Sequence, residues 1–500
     1  MENEILKKEI ITNTRWNFFS SFLSKLGAVI FTILIARILQ PEKYGIYNLA
    51  ISLSLFFVTF ADLGINAVLV KTLSYLSLKN KKKIKSYFNY LIRLKFILSL
   101  SFSLLLIFLS YPLSNFVFNK PNLYLPLLIS GFYVFILSFE NFFTSLFYVI
   151  KKVKYITIKE TIFQLGRIFL ALFLFYFILE KYRVEGLFFG LIFISLLIII
   201  YSIFYQKKFF PYIFEKEKYF LTIEEKKKIK NLILTLTIIN ISVIFFSYID
   251  TIMLGIFVTS EYIGYYRAAF SVIFSLVALF YFHSLFLPYF TQLKEKKLEK
   301  IINKLLYYSF ILVFPVIFLI FLFSNYIIYL LFGYSYLSSS LTLKISVLLI
   351  IEYFITQLLS SLFTAKDKQN LLIKPILIST FINILLNYIL ITRFLRISQL
   401  AAINGAAIAT IISRYFYLFF VLKITKEKLK INLKFNFIKQ LIASLVSAII
   451  LFFIKSKIVD MNLIYGLLLV ILYMIIYALF VFIFKVIKKE DIMLLLNKKI

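Results

Sequence analysis

The chain has 500 residues, no cysteine and a single histidine, His283. Disulfides, thiolate metal sites and cysteine nucleophiles are thereby excluded, and so are the usual zinc constellations. No G-x-x-x-x-G-K-[ST] stretch occurs, so there is no phosphate loop of an ATPase cassette. Acids are scarce: 23 Asp and Glu stand against 56 Lys and Arg, and only 16% of residues are charged. What is abundant is apolar. Hydrophobic residues make up 62% of the chain and aromatic residues 19%, with a mean hydropathy of +0.94. An ordinary soluble protein is nearer half apolar, so a cytosolic enzyme and a disordered tail are both excluded. The positive charge alone would suit nucleic acid. Its cations lie in short runs between long apolar segments, however, so membrane lipids with anionic headgroups are the expected partner and nucleic acid is not.

A spanning helix needs about 20 mostly apolar residues. Fourteen segments meet that length: 16–37, 45–69, 89–111, 123–149, 156–179, 185–205, 233–258, 264–287, 305–331, 338–363, 371–392, 403–422, 438–455 and 462–484. The expected fold is all-α and integral to the membrane, because β-barrel strands would be short and alternating. The opening MENEILKKEI carries charges of both signs before a long span, so no cleavable signal peptide is expected. Counting loops alternately from the N-terminus, the odd set holds 39 Lys and Arg and the even set 9. That asymmetry places both termini in the cytoplasm and favours an even number of spans. No outer segment is long enough for a domain. The longest inner loop, 206–231, reads as a basic, membrane-hugging linker.

The halves echo each other. Gly45-Ile46-Tyr47-Asn48-Leu49-Ala50-Ile51-Ser52 and Gly264-Tyr265-Tyr266-Arg267-Ala268-Ala269-Phe270-Ser271 share G-x-Y-x-x-A-x-S at a displacement of 219 residues. The same displacement relates Val184-Glu185-Gly186 to Ile403-Asn404-Gly405. Spans 1–6 and 7–12 thus read as a duplication in shared orientation, a pattern of transporters with a site between repeats. The expected organisation is an N-terminal lobe at 1–205, a basic linker at 206–231, a C-terminal lobe at 232–422, and spans 13 and 14 with a cytoplasmic tail at 423–500.

Polar stripes inside spans should face protein or water. Span 1 carries Ser20, Ser21, Ser24 and Lys25; span 5 carries Glu160, Gln164 and Arg167; span 11 carries Thr380, Asn383 and Asn387. Interhelical hydrogen bonding is the plain role of the neutral groups. The ionisable ones are more telling. Lys25, Arg167 and Arg267 are expected to cradle a polyanion such as a diphosphate. Asp250, Glu140 and Glu352 are candidates for a coupling ion, with Lys344 and Arg414 completing the set. Glu160 and Arg167 offer an ion pair within span 5. His283 reads as a packed or interfacial residue, and Pro315 permits a bend in span 9.

Several phrases carry a family resemblance: Ala36-Arg37-Ile38-Leu39-Gln40-Pro41-Glu42-Lys43-Tyr44-Gly45-Ile46-Tyr47, Ala61-Asp62-Leu63-Gly64-Ile65-Asn66, Tyr248-Ile249-Asp250-Thr251 and Asn404-Gly405-Ala406-Ala407. With them the sequence resembles the Wzx-type polysaccharide flippases of the multidrug/oligosaccharidyl-lipid/polysaccharide exporter superfamily. The resemblance implies two six-helix lobes in a V, two flanking helices, and alternating access. It implies transport of a polyprenyl-diphosphate-linked oligosaccharide to the outer leaflet, coupled to an ion gradient of H+ or Na+, with no cofactor. It also implies basic residues on spans 1, 2 and 8, where this chain has Lys25, Asn48 and Arg267. An ion-coupled multidrug or cation antiporter of the same superfamily is the alternative. A membrane glycan polymerase or ligase would need the large outer loop that the chain lacks.

Overall fold

The structure, a computed structural model, describes residues 2–216, 219–279, 290–291, 293, 295–456 and 463–487. The chain forms α1 (Glu2–Asp62), α2 (Ile65–Lys79), α3 (Ile84–Pro112), α4 (Tyr124–Val149), α5 (Val153–Phe177), α6 (Arg183–Phe209), α7 (Ile223–Phe257) and α8 (Ser260–Leu279). It continues as α9 (Glu295–Phe332), α10 (Ser340–Ser346), α11 (Leu349–Ala365), α12 (Ile373–Leu395), α13 (Gln399–Leu429), α14 (Ile438–Lys455) and α15 (Leu463–Ile483). A helix satisfies its own backbone, which is what hydrocarbon demands.

Ten described helices are long and apolar enough to cross a membrane, or eleven if α10 and α11, bent by 53° at their junction, count as one span. This differs from fourteen at identifiable places. Segment 16–37 and most of segment 45–69 fall within the range of α1, which is two helices meeting at a kink. Gln40 (φ 59°, ψ 168°) redirects the chain there, its side-chain amide donates to the Arg37 carbonyl at 2.7 Å, and Pro41 has no N–H to continue the ladder. The second segment ends early, at Leu63 and Gly64, both at positive φ. The segment 264–287 runs past α8 into residues outside those described, and His283 lies there too. In α9 the non-helical residue is Phe323, not Pro315.

Two compact units emerge, 1–267 with 373–413, and 268–372 with 414–500. The first has a core of Val68, Leu73, Phe88, Leu91, Phe142 and Leu146, joining α2, α3 and α4. In the second, Phe323, Leu451, Tyr473 and Tyr477 join α9, α14 and α15. Outside these cores the polarity runs opposite to that of a soluble protein. Phe189, Phe193, Ile200 and Phe204 of α6 are exposed on one face, as are Leu467, Ile471, Ile475 and Phe482 of α15. Contiguous apolar faces of this size fit lipid. Many interior hydroxyls bond back within their own helix, as Ser52 does to the Asn48 carbonyl and Thr425 to that of Val421.

The basic linker, expected to hug the membrane, is clipped to the start of α3. Lys83 Nζ meets Glu225 Oε1 at 2.9 Å and the Tyr219 hydroxyl at 3.1 Å. Lys85 donates to the Ile213 carbonyl. Thr222 and Glu225 form a capping box at the start of α7. Desolvation would raise the Glu225 carboxyl, but hydrogen bonds from Lys83, the Thr222 backbone, Tyr219 and Tyr87 outweigh it and hold it down at about 2. Lys83 is raised, chiefly by its bond to Glu225. A depressed carboxyl contributes stability above its unfolded value and loses it only as pH falls through about 2. A raised ammonium contributes below its unfolded value and loses it only in strong alkali. The clip should therefore hold unchanged from mildly acid to mildly alkaline solution. Glu225→Gln should raise tryptic cleavage within 207–222 by roughly threefold, discounted for exposure. Cleavage of the unsubstituted protein that climbs between pH 5 and 8, against a peptide control, would contradict the clip.

Candidate functional site

Four helices of the first unit converge on Asp250. The carboxylate is buried near the C-terminal end of α7. Asn387 Nδ2 donates to Oδ1 at 2.6 Å, while Thr410 Oγ1 and the Tyr266 hydroxyl donate to Oδ2 at 2.8 and 3.1 Å. Asn387 also donates to Asn383 Oδ1 at 3.1 Å, and Asn383 donates to Ser413 Oγ. These residues come from α7, α8, α12 and α13, so the cluster ties four elements together. Asn387 Oδ1 is buried with no hydrogen-bond donor. A carboxylate, amide carbonyls and a hydroxyl make a hard, oxygen-only set carrying one negative charge. Among the described residues, no three His, Cys, Asp or Glu side chains group as metal ligands.

A second feature joins the two sequence echoes. Arg267 Nε donates to Asn48 Oδ1 at 3.1 Å, and the two residues stand 219 apart, the displacement of the repeat. Their neighbours meet as well. A Cβ on Gly45 would lie 1.7 Å from the Ser260 carbonyl oxygen, and one on Gly264 would lie 2.1 Å from that of Pro41. Only glycine permits such an approach of backbones. Four loops of the lysine-poor set gather around this seam. Glu42, Phe118, Asn122, Thr259, Glu261 and Gln399 are among the residues lining a cavity of about 580 Å³. Lys120 reaches from its loop to the Gly255 carbonyl in the last turn of α7, where a cation suits the helix end.

The remaining expected residues fall into separate places. Arg167 lies on α5 between the rings of Phe31 and Phe163, 4.5 and 4.7 Å from their centroids. It bonds to Gln164, not to Glu160. Gln164 in turn reaches Ser24 of α1, at 3.4 Å, close to the half-buried Lys25. Glu140 is ion-paired: Lys159 Nζ is 2.7 Å from Glu140 and 3.2 Å from Glu160. A second pair, Lys95 with Asp62 at 2.8 Å, is likewise inside. Sequence reasoning missed Lys159 and Lys95, whose acids Glu140 and Asp62 stand on other helices at no periodic spacing. In the second unit, Glu352 sits in the first turn of α11, just past the bend from α10. Both its carboxylate oxygens are buried with no partner within hydrogen-bond distance among the described residues. Arg414 is an opposite charge that acts on it and lies 4.3 Å from the centroid of the Tyr353 ring.

An all-α, multi-pass bundle with apolar outer faces and a carboxylate held inside by four helices is a membrane transporter in build. The chain belongs to the family described as polysaccharide biosynthesis protein, which matches residues 10–294. It is a Wzx-like member of the multidrug/oligosaccharidyl-lipid/polysaccharide exporter superfamily. An uncharacterized membrane protein of Methanocaldococcus jannaschii is 23% identical over 447 residues, covering 84% of this chain and 86% of its own. The probable low-salt glycan biosynthesis flippase Agl15 of Haloferax volcanii is 27% identical over 176 residues, 34% of this chain and 35% of its own. Among solved structures, the lipid II flippase MurJ in its inward closed conformation shares the fold. Its TM-score is 0.73 at 18% identity, over 95% of this chain and 98% of that one.

The seam makes a direct test possible, because the chain has no native thiol. In an Ile46→Cys background, Gly264→Ala should raise labelling by a water-soluble maleimide roughly tenfold, since the added methyl must part the two backbones. An unchanged rate would mean that the backbones do not touch.

Proposed function

We propose that the protein carries a polyprenyl-diphosphate-linked oligosaccharide from the inner to the outer leaflet of the cell membrane, for surface polysaccharide assembly, by alternating access. In this reading fourteen spans form lobes at 1–205 and 232–422, joined by the linker 206–231. Spans 13 and 14 lie in 423–500, and both termini are cytoplasmic. Family membership over residues 10–294 carries the reading. The partial match to a glycan biosynthesis flippase supports the class of cargo. A glycan headgroup would lose its water in hydrocarbon without compensation, so a protein path must replace that water.

The residues divide by charge. Arg267, Lys25 and Arg167, with Asn48 beside Arg267, are the proposed contacts for the diphosphate. Arg267 now bonds a neutral amide at 3.1 Å, and a phosphate would offer it stronger, charge-assisted bonds. Asp250 is the principal candidate for the coupling ion. One carboxylate among neutral oxygens suits H+ or Na+ better than a divalent ion. Glu352 is the second candidate, because its oxygens lack hydrogen bonds. A role for Glu140 requires breaking its pair with Lys159. The same Asp250 cage favours one other reading, an antiporter that binds a cationic drug there.

Reconstitution in liposomes separates the two, with a labelled polyprenyl-diphosphate oligosaccharide and a cationic dye offered together. Flipping of the glycan without dye movement is expected; dye movement alone would transfer the chain to the antiporters. Arg267→Ala combined with Lys25→Ala should lower flipping roughly tenfold or more at normal membrane insertion, and wild-type flipping by the pair would remove both from the phosphate path. Asp250→Asn should abolish the response to imposed proton or sodium gradients while the glycan still binds. A variant that follows the gradient as before would take Asp250 out of coupling.

A further inference from the structure

The clipped linker presents a face that its internal bonds do not use. Lys226, Lys227 and Lys230 lie three, four and seven residues beyond Ile223 along the first turns of α7, on one side of the helix, and all four are exposed. Ile223 is 85% exposed and its neighbour Phe220 83%. Across the clip, the stretch from Tyr75 to Lys85 holds five lysines and no acid, and Leu78 beside them is 83% exposed. The ring of Tyr212 on the linker lies 5.3 Å from Lys81 Nζ, so the two basic stretches are held side by side. Of the two acids in the first turn of α7, Glu225 is committed to Lys83 and Tyr219, which leaves Glu224 alone beside Lys226, Lys227, Lys228 and Lys230. Cations around projecting apolar side chains match a phospholipid surface, with phosphate at the headgroup level and acyl chain beneath.

We propose that this face, built by the start of α7 and the 75–85 turn, is a binding site for anionic phospholipid headgroups. The lysines meet the phosphates, and Phe220, Ile223 and Leu78 enter the boundary between headgroup and chain. The clip matters because it fixes both stretches in one orientation before lipid arrives, so little ordering remains to oppose binding. The α7 helix runs from this face to Asp250, which makes the lipid-bound end and the candidate ion site two ends of one element. The proposal does not depend on what the protein carries.

Amide hydrogen exchange across 219–231 tests it, with the full chain in nanodiscs of phosphatidylcholine alone or mixed with phosphatidylglycerol. Exchange should slow at least about fivefold with phosphatidylglycerol, the change that one surface lysine contributes, and the slowing should fade as salt is raised. Replacing Lys226, Lys227 and Lys230 by glutamine should abolish the difference, and replacing them by arginine should keep it. Equal exchange in the two lipid compositions would overturn the proposal. So would a glutamine variant that responds like the unsubstituted chain. Slowing by inorganic phosphate added to pure phosphatidylcholine discs would assign the lysines to a free anion and also overturn it.

Discussion

A charge carried into hydrocarbon must find its counter-charge or its hydrogen bonds within the protein, and the interior of the first unit is arranged around that requirement. Lys159 is shared by Glu140 and Glu160. Lys95 is held by Asp62. Asp250 forms no ion pair among the described residues and is satisfied by an amide and two hydroxyls. Arg167 is flanked by two rings. Each solution draws on a different set of helices, so the polar interior holds the bundle in register where dispersion alone would let helices slide. It also sorts the charges by use. A paired lysine and glutamate are stable as they are, whereas a carboxylate held by neutral groups can exchange those groups for an ion. Glu352, buried beyond the helix bend without hydrogen bonds, stands further toward that second kind.

The long apolar segments, and hence the all-α membrane fold, were legible from composition and length. So were Asn48 and Arg267, because the repeat gave them the same offset and the polar stripes brought attention to them. Their mutual bond was not predicted, since a displacement in sequence says nothing of distance. The Glu160–Arg167 pair failed for a local reason: Lys159, one residue away, competes for Glu160, and Arg167 has Gln164 one turn back. The break between the first two segments was legible because Gln40-Pro41 reads as a turn, and two helices do meet there, at a Gln40 whose backbone is not helical. The clip on the linker was invisible for another reason. Its partners lie 142 residues apart, and a run of lysines looks the same whether it is solvated or docked.

Glutamate and lysine at the linker do two kinds of work within a few residues. Glu225 caps α7 and neutralises Lys83, while the lysines just beyond it remain exposed. A surface that carried only cations would repel itself. Placing one acid at the hinge between two basic stretches lets them lie together without spending the charge that faces outward.

Gly45 and Gly264 meet across a contact between sequence echoes, with the carbonyls of Ser260 and Pro41 where side chains would be. Neither position can carry a side chain while the backbones stay this close, so each glycine sets the room available to the other's segment. A change at one of them would be felt on both sides of the seam, although the two lie far apart in the chain.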